Sequence, residues 1–379
     1  MVGTWLPCPC DGSDRLDEEG MGTSETPPRA ANCKGRTVMG ETVLEVRNLR
    51  TYVYLRRGVV RAVDGVSFAV QQGETLGIVG ESGSGKSMTL LSIMGMVPKP
   101  GGRIVGGEIL FEGENLLEKS PEEIRRLRGN RIAMILQDTL ASLNPALRIG
   151  QQVAEPLQVH LGMRGARARE RVVELLRQVQ ISDPERRLDA YPHQMSGGMR
   201  QRVVGAMGIA CSPSVLLADE PTTSLDVTVQ AQYLRLLKDI QQETNLALIF
   251  VTHDLGIVAK ICDRVGVMYA GRLVESASTR DLLSRPMHPY TMALLRCLPK
   301  LQARGHKLAT IEGQPPDLAH LPAGCAFGPR CPTRRARCQE DRPELKELFP
   351  GHSVACWYAE NRFRADAAVH DGNAEGSAQ

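Results

Sequence analysis

Eight consecutive residues carry the most recognisable chemistry in the chain. Gly80-Glu81-Ser82-Gly83-Ser84-Gly85-Lys86-Ser87 fits G-x-x-x-x-G-K-S/T, the spacing of a phosphate-binding P-loop. Glycines let the backbone turn sharply enough to aim successive N–H groups into one concavity, which suits phosphate oxygens. A helix starting there adds unsatisfied N–H groups and the positive end of its dipole. In such a loop Lys86 reaches the β- and γ-phosphates of a nucleotide, and the Ser87 hydroxyl ligates Mg²⁺. A glycine-rich turn without a ligand is the plainer reading, and the flanks argue against it. Residues 74–79 form the short apolar run of a buried parallel strand, and residues 88–94 read as helix.

A pair of acids completes the minimum for phosphoryl transfer, which needs charge neutralisation and a positioned water more than covalent chemistry. Asp219 ends the apolar run 215–220, the place of a Walker B acid holding Mg²⁺ through its water shell. Glu220 beside it is placed to polarise the attacking water as general base. Alone the pair is weak evidence. Joined to a P-loop far upstream it is strong, and a compact P-loop kinase would not need so long a separation.

The third constellation is Met195-Ser196-Gly197-Gly198-Met199-Arg200-Gln201-Arg202. A serine hydroxyl and glycine N–H groups at a helix N-terminus make a second phosphate receptor. Ser-Gly-Gly followed by Gln-Arg, shortly before Asp219, resembles the signature of ABC-transporter ATPases. The resemblance implies an α/β P-loop NTPase fold of the ABC nucleotide-binding type, with ATP and Mg²⁺ as its ligands. It also implies that Ser196, Gly197 and Gly198 face the ATP of a partner subunit in a head-to-tail sandwich. By the same resemblance Gln137 is the Q-loop residue near Mg²⁺, Ser224-Leu225-Asp226 the D-loop, and His253 the switch histidine at the γ-phosphate. A lone histidine is more often structural; this one follows a buried strand and stands in register with the other motifs.

The likeness narrows along the chain. Residues 135–138 (ILQD) with 142–145 (SLNP), Tyr191-Pro192-His193-Gln194, 218–232 (ADEPTTSLDVTVQAQ), Met268-Tyr269-Ala270-Gly271 and His288-Pro289-Tyr290-Thr291 resemble dipeptide/oligopeptide permease ATPases, over about residues 41–358. The P-loop and Ile181-Ser182-Asp183-Pro184 are closer to the first of that group's two paired ATPases. The resemblance implies uptake of di- or oligopeptides. It further implies a second, related ATPase subunit forming a heterodimer, two membrane permease subunits, an extracytoplasmic solute-binding protein, and a peripheral place on the cytoplasmic membrane face. Val53 stands where the group has Phe, leaving Tyr52 and Tyr54 as candidates for stacking on adenine; Leu136 also replaces a common Phe. A nickel, opine or other solute importer is the nearest alternative. A soluble repair ATPase would show a long heptad insert, and a translation ATPase a second P-loop; neither pattern occurs.

The elements that position these residues follow from patterning. Residues 1–40 are rich in Gly, Pro, Ser, Thr and charge and are expected to be a disordered leader, with Met39 a candidate translation start. An ABC ATPase domain is expected over 41–285. Its half-buried strands at 43–46, 49–54 and 59–70 belong to an antiparallel β subdomain, and a loop at 98–107 precedes a further strand at 108–111. No β-rich run occurs from 140 to about 195, whereas 166–180 has the spacing of an amphipathic helix, so a helical subdomain is inserted there. After residue 286 strands vanish and Pro, Arg and Cys rise; residues 286–360 form a separate extension, and 361–379 a frayed tail. A net charge of +3 over 379 residues does not point to nucleic acid, and no 18-residue apolar run exists to span a membrane.

Four of the ten cysteines, Cys325, Cys331, Cys338 and Cys356, crowd into this extension. Scattered buried thiols are the simplest reading. Zinc prefers a close C-x₂₋₄-C pair, which is missing, and four thiolates can also hold a 4Fe–4S cluster. Arg330, Arg334, Arg335 and Arg337 would offset its charge. The extension of the permease group, which this segment resembles, is associated with such a cluster, so a Cys-rich, iron–sulfur-bearing extension is expected.

Overall fold

The computed structural model describes residues 40–56, 58–223, 225–298 and 310–361. The expectations for the leader, Met39, Ser224 and the tail after 361 lie outside the described residues. In chain order the first strands are β1 (Thr42–Leu55), β2 (Gly58–Gln71), β3 (Thr75–Val79), β4 (Gly102–Phe111) and β5 (Glu114–Asn115). They are followed by β6 (Ile132–Ile135), β7 (Val215–Asp219), β8 (Ala247–Thr252), β9 (Arg264–Tyr269) and β10 (Arg272–Ser278). The last two are β11 (Lys346–Phe349) and β12 (His352–Val354).

These strands build two sheets. A small antiparallel sheet runs β2-β1-β4-β5, and a large one runs β11-β12-β10-β9-β3-β8-β7-β6. Within the large sheet β9, β3, β8, β7 and β6 pair in parallel. Every residue of β3, β7 and β8 is buried, which is why they read as unbroken apolar runs. Alternation along each strand still divides the core in two. Val215, Leu217, Ile249 and Val251 pack with Val46, Val66 and Ile109 of the small sheet and with Leu90 of the helix Lys86–Ile93. Leu216, Ala218, Leu248 and Phe250 pack on the other side with Val203, Leu236, Leu237 and Val258 from three helices.

Between Thr139 and Gln194 the chain is helical, with long helices Ile149–Leu161 and Gly165–Gln178. The second buries Val172, Leu175 and Leu176 of the expected stripe together with Ala168, while Val173 is only partly buried. Two local expectations fail. The glycine-rich loop at 98–107 is largely strand: β4 begins at Gly102 and pairs with β1 through Thr51↔Ile104 and Val53↔Gly102. Strands also return after residue 286, where β12 joins β10 through Glu275↔Val354 and carries β11 with it. β11 and β12 together are seven residues of mixed charge and polarity, so no alternation announces them. Pairing with the exposed edge of β10 makes them strands.

One buried carboxylate fastens the segment after residue 286 to β10. Glu275 of β10, with no exposed surface, accepts the N–H groups of Met287 (2.7 Å) and His288 (3.0 Å) and pairs with Nε2 of His352 (2.8 Å). His288 in turn caps the helix Pro289–Arg296, its Nδ1 accepting the N–H of Tyr290 at 3.0 Å. Burial holds His288 down to about 4, against the opposing pull of Glu275. An imidazole depressed from an ordinary value of about 6.5 stabilises the fold fully only above that value. The stability should therefore fall as pH drops from about 6.5 through 4, with a slope of up to one proton taken up on unfolding. Denaturant titrations across that range check this, and His288→Asn, which keeps a capping acceptor, should flatten the slope.

Candidate active site

The sheet brings the site together through its register. Val79 stands opposite Thr252 on β8, and Asp219 opposite Val251. On the far side Ile135 of β6 stands opposite Ala218 of β7. The residues that leave these strands at their carboxyl ends are the P-loop, Gln137, Glu220 and His253, now neighbours along one edge. Open parallel sheets bind ligands at that edge.

The P-loop has no room for larger residues at two points. A Cβ on Gly85, whose φ is 106°, would lie 2.2 Å from the carbonyl oxygen of Ala62, and one on Gly80 would lie 2.2 Å from that of Met268. Lys86 is buried, and its Nζ donates to the carbonyls of Gly80 (2.8 Å) and Glu81 (3.0 Å), with Glu220 Oε1 at 3.8 Å. Burial pushes the ammonium below its ordinary value while Glu220, Asp219 and Glu81 pull it back. The Ser87 hydroxyl donates to Asp219 Oδ1 at 2.9 Å. Burial raises Asp219, the Ser87 bond opposes that, and Glu220 adds to the rise. Both groups thus carry a strained charge balance that a nearby cation and phosphates would relieve. A hydroxyl and a carboxylate oxygen on adjoining elements are the hard donors that suit Mg²⁺.

Glu220 is the hub. Its Oε2 receives Thr223 Oγ1 (3.1 Å) and Gln137 Nε2 (3.3 Å) and lies 3.1 Å from His253 Nδ1. The backbone at Glu220 is left-handed, φ 43°, a conformation that costs a non-glycine residue and turns its side chain off the strand end. Such a carboxylate, oriented by four neighbours, can accept a proton from a water at the cleft mouth. His253 is about half exposed, so it borders the same solvent-filled space. Ala62, Ser82, Gly83 and Leu318 complete the cleft lining.

The second phosphate receptor lies elsewhere. Ser196 caps the helix Gly197–Ile209, its Oγ accepting the N–H of Met199 at 3.3 Å. Ser196 and Gly198 line a separate cleft beside Val227, which is 79% exposed, and share no lining residue with the P-loop cleft. Asp226 caps the helix Val227–Thr244 by accepting the N–H groups of Thr228 and Val229, both at 3.0 Å. Neither tyrosine borders the P-loop cleft: Tyr52 donates to Asp64 at 2.9 Å, and Tyr54 is exposed with Arg103 over its ring. Leu318, a residue with no motif around it, borders it instead, and nothing in its sequence context could have signalled this.

The four extension cysteines are free thiols. The Cys325 N–H donates to the Cys338 carbonyl at 2.9 Å. Burial pushes the Cys325 thiol up, and Cys338 and Cys331 add to it; burial likewise pushes Cys356 up to about 11, with Cys325 and Cys331 contributing. Among the described residues, however, no three His, Cys, Asp or Glu side chains are grouped to hold a metal ion, so the iron–sulfur expectation gains no support from the geometry.

Known proteins place the chain firmly. The ABC transporter family model matches residues 63–223, and the model for the oligopeptide/dipeptide transporter C-terminal region matches 274–338. A probable peptide ABC transporter ATP-binding protein of Sinorhizobium fredii is 53% identical over 84% of this chain and 95% of its own length. A dipeptide transport ATP-binding protein of Bacillus subtilis is 47% identical over 88% and 99%. Among solved structures, a dimeric ATP-binding cassette in a post-hydrolysis state with ADP and phosphate superposes with a TM-score of 0.57 at 26% identity, over 62% of this chain and 99% of that one.

Proposed function

Since the chain belongs to the ABC transporter ATP-binding proteins, within the dipeptide/oligopeptide group, we propose that it hydrolyses ATP to drive the uptake of small peptides. The observation that carries the peptide assignment is the order of parts: an ABC cassette followed directly by the C-terminal region of peptide transporters. Gly80 to Lys86 would receive the phosphates, with Ser87, Asp219 and Gln137 as the residues to hold Mg²⁺. Bound there, Mg²⁺ neutralises charge on the β- and γ-phosphates. Glu220 would accept the proton of the attacking water, and His253, beside it, would contact the γ-phosphate.

Glu220→Gln should keep ATP binding while hydrolysis falls by about 10²-fold or more, measured in the assembled transporter. Lys86→Ala should instead weaken nucleotide binding itself. Near wild-type turnover of the Gln variant would rule out the base assignment. Loss of labelled-peptide uptake in cells lacking the gene tests the cargo; unchanged peptide uptake with loss of nickel or another solute would redirect it.

The separation of Ser196–Gly198 from the P-loop cleft supports a shared site, in which this receptor completes a nucleotide site on a second, related ATPase and its Asp226 lies at the junction. Two permease subunits would dock on the helical block at 140–195, holding the protein at the cytoplasmic membrane face, and a solute-binding protein would deliver cargo outside. Among the described residues no helix is long and apolar enough to cross a membrane. The chain purified alone should hydrolyse ATP poorly, and addition of the related ATPase and permeases should restore turnover; a fully active lone monomer would contradict this.

For the extension we propose a 4Fe–4S cluster on Cys325, Cys331, Cys338 and Cys356, a reading supported by the four thiols falling within one short segment and by the backbone bond that joins Cys325 to Cys338. Loading would need all four as thiolates, the reverse of the raised Cys325 and Cys356, so iron must supply that free energy. Anaerobically purified protein should carry about four iron per chain. Stoichiometric zinc without iron would replace the proposal.

A further inference from the structure

The second residue of the P-loop is held by the far end of the chain. Arg330 lies at the end of the turn Gly328–Arg330, and its side chain is only 4% exposed. Its guanidinium grips the Glu81 carboxylate with two parallel bonds, Nη1 to Oε2 at 2.7 Å and Nη2 to Oε1 at 3.0 Å. The remaining N–H groups go to the Tyr269 hydroxyl (3.3 Å), the Glu312 carbonyl (3.1 Å) and the Ile311 carbonyl (3.4 Å). All five donors of the fork are therefore used, and Arg330 has little freedom to move.

Glu81 is fixed at its other polar groups as well. Its N–H donates to the Tyr290 hydroxyl at 2.9 Å, and its carbonyl accepts Lys86 Nζ. Tyr290, Tyr269 and Phe327 pack as one aromatic cluster, with ring centroids 4.6 to 5.4 Å apart, and Arg330 lies against two of these rings. The same C-terminal segment returns to the cleft at Leu318, whose carbonyl accepts the Arg61 N–H at 3.2 Å.

We propose that Arg330 is a positioning residue for the P-loop, holding Glu81 so that the loop keeps its phosphate-receiving shape, and that the C-terminal segment thereby sets the affinity for ATP. A P-loop needs its N–H groups preorganised, because any ordering left until binding is subtracted from affinity. The P-loop motif leaves position 81 free in type, so a carboxylate there, otherwise unfavourable beside bound phosphates, is explained by the cation that neutralises it. The inference rests on the ATPase reading above.

The test uses the full chain in its assembled transporter, with ATP binding, KM and kcat measured for Arg330→Met, Glu81→Gln, their double variant and Arg330→Lys. Arg330→Met and Glu81→Gln should each weaken ATP binding and raise KM by about tenfold, and for Arg330→Met, which lies outside the P-loop, kcat should change less than twofold. The double variant should be no worse than the weaker single, because removing both partners leaves no orphaned buried charge. Arg330→Lys, which keeps the charge without the fork, should fall between Met and wild type. The double variant and the lysine variant carry the test if Arg330→Met alone fails to fold. ATP affinity within twofold of wild type in the folded Met or double variant, or a lysine variant indistinguishable from wild type, would overturn the proposal, as would losses that multiply in the double variant. Wild-type protein that fails to bind ATP would instead overturn the ATPase reading.

Discussion

Parallel pairing of β3 with β8, and of β8 with β7, is the constraint on which everything else rests. All three strands are buried on both faces, so their apolar side chains on either side must match different partners, the small sheet or the helices. A slip by one residue would exchange the two sets and is excluded by packing. The same register that satisfies the core also delivers Gly80, Glu220 and His253 to one edge. Site geometry is thus a by-product of hydrophobic matching some distance away.

What gathers at that edge is a small set of charges under tension. Lys86, Asp219 and Glu220 lie in partly dry surroundings where each is costly alone, and the lysine satisfies itself on carbonyls of its own loop. The arrangement is balanced without nucleotide yet improved by one. Gln137, Thr223 and His253 converge on Glu220 from three different connections, so its orientation is fixed by the sheet rather than by any one loop.

The site was legible in sequence wherever chemistry restricts the residue types. Glycines at 80 and 85 face carbonyls that exclude any side chain, and Ser87 must reach Asp219; such demands leave motifs. The parallel strands were legible because double burial writes an unbroken apolar run. β11 and β12 were not, because their strand state comes from the open edge of β10 rather than from their own composition. Arg330, Tyr290 and Leu318 were equally hidden as site residues. Each acts through a contact with a segment remote in sequence, so the motif around Tyr290 and the arginines that include Arg330 suggest other roles and Leu318 suggests none. On the adenine side, Tyr52 donates to Asp64 and Tyr54 is exposed, so residue type alone does not choose between them.

The Glu81–Arg330 pair joins residues 249 positions apart. Translation delivers them in that order. At a few residues per second to twenty, the P-loop emerges from the ribosome roughly ten seconds or more before its clamp. β10 likewise waits with an unpaired edge until residue 354 has been made. The nascent cassette therefore passes through a stage in which its phosphate loop lacks its C-terminal anchor and its sheet lacks β12 and β11. Maturation of the nucleotide site coincides with addition of the last two strands to the sheet, and a ribosome that stops short of the extension releases a chain deficient in both.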